Sequence, residues 1–302
     1  MTNPVSSDER RKLIWARVYQ ELLHKAVPDS RFNHDFLSFT PDFRGSSSAV
    51  DRIVALPCYQ NASTLLVTSD NSLEQLRCRA LKDGKRLLVA TYRLRRGFVL
   101  LSSARIREDK YELAACLDGM EKPDVGRTVS LAQIRDENIC IDMCLLGGLA
   151  FNEQGVVIWE GHSLFEVQWA LLQDIKSLAS NVPVVAIAHT CQVVDEGRLG
   201  VERIIPDKAG EVQCDYVMTP DQSFHVEAPY RPTKGIDLEA IDQEALDNIP
   251  PLQELKGIRM MEQIMANGGF GQANEKETSK APTAEEQMGI GMVEKLMKGY
   301  KP

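Results

Sequence analysis

The chain has 302 residues, of which 43% are hydrophobic and 26% charged, and it carries a formal net charge of −8. That balance is ordinary for a soluble globular protein, and its acidity speaks against general electrostatic capture of nucleic acid or of an anionic membrane. No apolar run is long enough to span a bilayer, and the opening MTNPVSSDERRK lacks the apolar stretch of a secretory signal.

Residues 8–26 place Leu13, Ile14, Val18, Leu22 and Leu23 at helical spacing, and Pro28 closes the helix. An aromatic, turn-rich segment, FNHDFLSFTPDFRG, follows as an ordered loop, and SSSAVDRIVAL reads as the next helix start. From there the pattern alternates. Strands are expected over 63–69, 85–94, within 137–151, over 156–160, in the apolar run VPVVAIAH around Pro183, and over 214–220. Helices are expected over 72–84 and 163–179. Strands alternating with helices imply a mostly parallel sheet covered on both faces, and a run such as VVAIA suits a strand buried on both sides.

One α/β domain from 8 to 235 accounts for this pattern. Residues 236–265 form a helical C-terminal extension, interrupted at Pro250-Pro251, and 266–283 are rich in Gly, Asn, Lys and Glu, as a flexible linker would be. Residues 284–302 could form a short amphipathic helix, either a frayed end or a Met-rich docking helix for a protein partner. The seven cysteines are scattered and none forms a CxxC pair, as in a reduced, cytoplasmic protein.

The stretch GVVIWEGHSLFEVQWALL (155–172) runs from strand into helix across a small-residue bend, the kind of place where α/β enzymes hold a phosphate. Three basic or turn-forming features accompany it. Lys12 sits beside Arg10 and Arg11 on the first helix. In TPDFRG (40–45), Arg44 is an anion-binding candidate, with Phe43 alternatively a simple core plug. RLRRGF (93–98) gathers Arg93, Arg95 and Arg96, either a ligand-binding patch or a solvated cluster. His189 and Asp195 follow the most apolar strand, at the carboxyl end where open α/β folds form their crevice. No HExxH, nucleophile elbow or Walker A motif is present.

In their order and spacing, RKLIWARV, TPDFRG, SLEQLRCRALKDGKRLLVATYRLRRGF, ICIDMCLLGGLAFNEQG, VPVVAIAHTCQVVD and CDYVMTP resemble the 5-formyltetrahydrofolate cyclo-ligase family, also called methenyltetrahydrofolate synthetases. The resemblance covers about 10–255 and is greatest to the divergent branch near the methenyltetrahydrofolate synthetase domain-containing proteins. It implies a three-layer α/β sandwich with a mostly parallel central sheet. It also implies ATP- and Mg²⁺-dependent closure of a reduced folate or related heterocycle: ATP phosphorylates the formyl oxygen and a ring nitrogen attacks the activated carbon. Carried over by position, Lys12, Arg44, Gly161 and Ser163 would meet ATP phosphates, Arg95 and Trp159 the substrate, and Glu166 the metal.

The bend departs from the branch's pattern, which reads roughly GxGxGYxDLEYA. Trp159, Gly161 and Ser163 stand at the three glycine positions, Leu164 replaces the aromatic, Glu166 the aspartate and Gln168 the glutamate. A tryptophan at the first position adds bulk where backbone amides would face an anion. The alternative to an enzyme is therefore a family member that kept the fold and a ligand pocket and acts as a nucleotide- or ligand-binding or regulatory protein.

Overall fold

Neither face of the central strands can meet water without exposing valine and leucine, so both faces must be covered. The computed structural model, which describes residues 6–207 and 210–266, does this with three layers. The strands are β1 (Thr64–Val67), β2 (Arg86–Ala90), β3 (Phe98–Ser102), β4 (Arg127–Val129), β5 (Met143–Leu146), β6 (Ala150–Asn152), β7 (Val157–Trp159), β8 (Val184–Ile187), β9 (Val193–Val194), β10 (Tyr216–Met218) and β11 (Ser223–His225). The helices are α1 (Ser7–Leu22), α2 (Ser46–Val54), α3 (Pro57–Asn61), α4 (Glu74–Lys82), α5 (Tyr111–Ala115), α6 (Leu131–Asp136), α7 (Phe165–Asp174), α8 (Gln243–Asn248) and α9 (Pro250–Ala266).

Eight strands form the main sheet in the order β11-β10-β8-β5-β1-β2-β3-β4. The middle five run parallel, while β3, β4 and β11 pair antiparallel at the two edges. Alternation along each strand sorts the side chains. Leu65, Val67, Leu87, Val89, Leu145 and Ile187 pack with α2 to α5. Leu66, Leu88, Leu146, Val184 and Ala186 pack with α6, α7 and α9. Each such side chain removed from water contributes about 1.5–3 kcal/mol.

The three edge strands are not among the expected elements. FVLL of β3 follows directly on the arginine-rich turn, and β4 and β11 have only three residues each. The expected strand over 85–94 ends at Ala90, because Arg93 and Leu94 turn into left-handed backbone at φ 52° and 54°.

A second, three-stranded sheet, β7-β6-β9, lies beside the first. Helix α1 packs on it through Ile14 and Val18. Ser6 caps that helix: its hydroxyl accepts the Glu9 amide, and the Glu9 carboxylate accepts the Ser6 amide in return. Pro250 and Pro251 do not interrupt a helix but begin α9, where a missing N–H costs nothing. From α9, Leu252 and Leu255 enter the core, and the Glu254 carboxylate accepts the Leu131 and Ala132 amides at 2.9 Å each.

The compact unit reaches Ile258. The last turns of α9 belong to a second unit, whose described residues 259–266 include the exposed Met260, Met261 and Met265. The expected linker from 267 onward and the helix at 284–302 lie outside the described residues. Among the described residues no helix is long and apolar enough to cross a membrane, and all seven cysteines are free thiols.

Candidate functional site

From β1 the chain crosses through α4, on one face, to β2; from β5 it crosses through α7, on the other face, to β8. Strand order therefore reverses between the neighbours β1 and β5. In open α/β sheets the ligand crevice opens at the carboxyl ends of such a pair.

What lies there is a polar loop, Thr68-Ser69-Asp70-Asn71-Ser72, directly after an all-apolar strand. The Thr68 hydroxyl donates to Asp70 Oδ2. The amide of Gly147, the first residue after β5, donates to Thr68 Oγ1 at 3.2 Å and to the same Asp70 oxygen at 3.1 Å. Beneath the loop, Arg77 is fully buried. Its Nη1 donates to the carbonyls of Thr68 (2.8 Å) and Asp70 (3.0 Å), and its Nε to that of Ala115 (2.7 Å). The Asn71 amide donates to the Thr40 carbonyl at 3.1 Å, which ties in the TPDFRG turn.

Among the described residues, nine buried side-chain nitrogen or oxygen atoms have no hydrogen-bond partner. Thr40 Oγ1, Asp70 Oδ1, Ser72 Oγ and His162 Nδ1 belong to this end of the sheet, with Arg77 Nη2 and Gln168 Oε1 close against it. Two glycines adjoin three of their residues. A Cβ built on Gly147 would lie 2.7 Å from Ser72 Oγ and 2.8 Å from Asp70 Oδ2, and one on Gly161 would lie 3.1 Å from Thr40 Oγ1. His162 packs against Tyr92 with ring centroids 5.0 Å apart. Burial holds its imidazole below the ordinary range, although Asp70 pulls the other way. Gly147→Ala is accordingly expected to cost about 1–3 kcal/mol in a urea denaturation, since neither Ser72 nor Asp70 has room to yield.

The bend between β7 and α7 closes over this cluster. Gly161 has φ +94° and Leu164 φ 54°. One of its amides, that of Phe165, is already answered. The Glu160 carboxyl accepts the Phe165 amide at the start of α7 and the Ser163 hydroxyl (2.9 Å), while Gln168 Nε2 holds the Ser163 carbonyl at 2.7 Å. Glu160 thus sits where an anion would sit. Burial pushes its carboxyl up to about 7, against the pull of the Phe165 amide and Ser163, with nearby Asp70 pushing the same way as burial. The bulk expected from Trp159 lies elsewhere: its indole stacks on Trp15 at 6.1 Å, and the Cβ side of Gly161 faces Thr40 and Leu149.

The structure brings Gly161 and Ser163 together with Thr40, Asp70 and His162. The other predicted site residues are placed apart. Lys12 and Arg44 are exposed. Of the arginine cluster, Arg93 lies over the Tyr92 ring at 5.4 Å, Arg96 pairs with Glu121 at 2.6 Å, and Arg95 borders a cavity of about 400 Å³ with Pro250 and Glu254. Phe43 fills the core, as the simpler reading of TPDFRG has it. His189 caps a short 3₁₀ turn, its Nδ1 accepting the Cys191 amide at 3.1 Å, and Asp195 pairs with Arg198.

Glu166 faces a small cavity of about 120 Å³ that Arg11, Glu160 and Glu211 also line. Burial, then Glu160 and Glu211, push its carboxyl up to about 8, against Arg11. Among the described residues no group of three or more His, Cys, Asp and Glu side chains converges as a metal site. In the arrangement described, Glu160 holds the head of α7, the position a phosphate would take.

Two features of the site escape the sequence reading. Arg11, not Lys12, is the inward cation: it donates to the carbonyls of Val157 (3.0 Å) and Ile158 (3.2 Å) and pairs with Glu211 at 2.6 Å. The helical phase carries that signal, because Arg11 stands three residues before Ile14 and seven before Val18, on the buried stripe. The other is the Thr68–Ser72 loop, a polar run capping an apolar strand.

Several known proteins are similar to this chain. The sequence pattern of the 5-formyltetrahydrofolate cyclo-ligase family matches residues 7–219. The methenyltetrahydrofolate synthase domain-containing protein of Homo sapiens is 27% identical over 255 residues, covering 83% of this chain and 62% of that protein. The protein of the same description from Danio rerio is 26% identical over 216 residues, covering 72% of this chain and 54% of that protein. The chain thus spans between about half and three-fifths of these relatives' length. Among solved structures, it is similar to the 5,10-methenyltetrahydrofolate synthetase of Aquifex aeolicus, with 14% identity, 73% of this chain and 95% of that one covered, and a TM-score of 0.40. For that of Mycoplasma pneumoniae the identity is 11%, the coverage 70% and 98%, and the TM-score 0.39.

Proposed function

Because the chain belongs to the 5-formyltetrahydrofolate cyclo-ligase family, we propose that it binds a reduced folate, or a related nitrogen heterocycle, in the polar cluster between β1 and β5. One observation carries this: unpartnered buried polar atoms of Thr40, Asp70, Ser72 and His162 lie at the end of the sheet where strand order reverses. A buried group left without a partner costs about 1–3 kcal/mol, so four in one place call for something to satisfy them.

Ring closure at the expense of ATP, with magnesium balancing the phosphate charge, is the second reading, and family membership favours it. The Glu160 carboxyl at the start of α7 favours binding without turnover, since an incoming phosphate would have to displace it. The chain's own residues then act as a scaffold: Arg77 and the Gly147 amide hold Asp70 in place, and the bend shuts out water.

A direct test combines the purified protein with 5-formyltetrahydrofolate, ATP and Mg²⁺. The expected result is folate-dependent thermal stabilisation without methenyl absorbance or ADP release. Methenyl product with stoichiometric ADP would establish the enzymatic reading instead. No stabilisation and no product would remove folate as the ligand.

A further inference from the structure

We propose that the cavity between the RLRRG turn, the β4–α6 junction and the head of α9 is a second binding site, for a small carboxylic acid with an apolar or aromatic body. It goes beyond the folate reading. Pro251 and Glu254 line the cavity, and both lie past residue 219, where the matched family segment stops.

The cavity measures about 400 Å³, within the range of ~300–1,000 Å³ that small-molecule sites occupy. Its floor is apolar. Phe98 opens β3, Val129 ends β4 and Leu131 begins α6, and all three belong to the buried core. Pro251 closes one side against Gly97: a Cβ built on that glycine would lie 3.5 Å from the proline ring. These groups are already fixed by the fold, so little of the protein's freedom is lost when a ring or short alkyl chain settles on them.

The charge at the rim is cationic. Arg95 and Arg96 both line the cavity. Arg96 is held by Glu121 at 2.6 Å. Arg95 is exposed and has no ion pair among the described residues. The turn that carries it is braced by Thr91. The Thr91 hydroxyl donates to the Gly97 carbonyl at 3.0 Å and accepts the Arg96 amide at 3.0 Å, and the Thr91 amide donates to the same carbonyl at 2.9 Å. A free guanidinium beside an apolar floor suits a carboxylate, which it can meet with two parallel N–H bonds.

Other charges fit less well. The two oxygens of Glu254 each accept an α6 amide at 2.9 Å, and Glu121 is taken by Arg96. An amine would therefore find a free arginine and no free carboxylate. A nucleotide would lay several phosphate charges where one cation is uncommitted. A neutral apolar molecule would gain burial alone and leave Arg95 unused.

The test titrates the isotope-labelled full chain by NMR with phenylbutyrate, phenylbutyramide and phenylbutylamine, which share one apolar body and differ in charge. The acid is expected to shift the Gly97 and Leu131 amides and to bind at least tenfold more tightly than the amide, with no binding of the amine. Arg95→Ala should weaken the acid at least tenfold and leave the amide unchanged, while Arg96→Ala should change the acid less than twofold. Saturating 5-formyltetrahydrofolate should leave the acid in place.

Displacement of the acid by 5-formyltetrahydrofolate would make the cavity part of the folate site and overturn a second one. Acid and amide binding alike, an amine that binds as well as the acid, shifts confined to other amides, or no shift at millimolar acid would each overturn the proposal. Should Arg95→Ala fail to fold, the wild-type comparison of acid with amide decides.

Discussion

Replacing Arg77 with methionine is expected to cost about 3–5 kcal/mol of stability, the range for breaking a buried charged network. The guanidinium is fully buried, and burial pulls it below its ordinary pKa against the attraction of Glu74 and Asp70. It stays charged nonetheless, because arginine does not lose its proton in proteins. Its place is secured by three main-chain carbonyls, those of Thr68, Asp70 and Ala115. Methionine fills similar volume but offers none of these donors, so three buried carbonyls lose a partner at once. Lysine cannot replace the fork with one ammonium, and Arg77→Lys should recover only part of the loss. The measurement is a urea melt: the midpoint should fall sharply with an unchanged slope. A loss below about 1 kcal/mol would show that the loop after β1 holds itself. Because that loop carries Asp70 and Ser72, surviving Arg77→Met protein should also lose the folate-dependent thermal stabilisation.

The second large effect is on the pH dependence of stability. Glu160 is raised from the ordinary 4.5 to about 7 and Glu166 to about 8. Asp70 faces the first; Glu160, Glu211 and Arg11 face the second. The folded chain therefore holds protons on these carboxyls that the unfolded chain has already released. The associated stability is fully present below about pH 4.5 and is lost as pH rises, with the loss complete above about pH 8. A tenfold difference in proton affinity between the folded and unfolded chain is worth about 1.4 kcal/mol, so the pair should give up on the order of several kcal/mol between about pH 5 and 8. Glu160→Gln keeps an acceptor for the Phe165 amide and the Ser163 hydroxyl but cannot ionise. It should flatten part of the slope, and the double variant with Glu166→Gln nearly all of it. Equal slopes in wild type and double variant, followed by denaturation at fixed salt, would show that these carboxyls are solvated.

Much of the architecture is legible because burial on two faces demands continuous apolar runs. STLLVTS, VVIWE and VPVVAIAH announce β1, β7 and β8, and Gly84 ends its helix in left-handed backbone at φ +80°. Short edge strands carry no such signal: three residues cannot show a period. For the site, the 155–172 stretch correctly marks a bend from strand to helix. What fills it is a neighbour's side chain folding back, which spacing alone does not reveal. Asp70 and Gly147 are 77 positions apart and meet only because β1 pairs with β5. Arg11 is legible in principle, since its helical phase separates it from Lys12.

The matched family segment stops at residue 219, yet Leu252 and Leu255 seal the interior from about thirty residues further along, and Glu254 clasps the head of α6 from the same helix. A recombinant fragment trimmed to the matched boundary would carry a greasy trench along one flank of the sheet. Such a fragment would clump or recruit chaperones, and any inactivity it showed would report the missing wall rather than the missing chemistry.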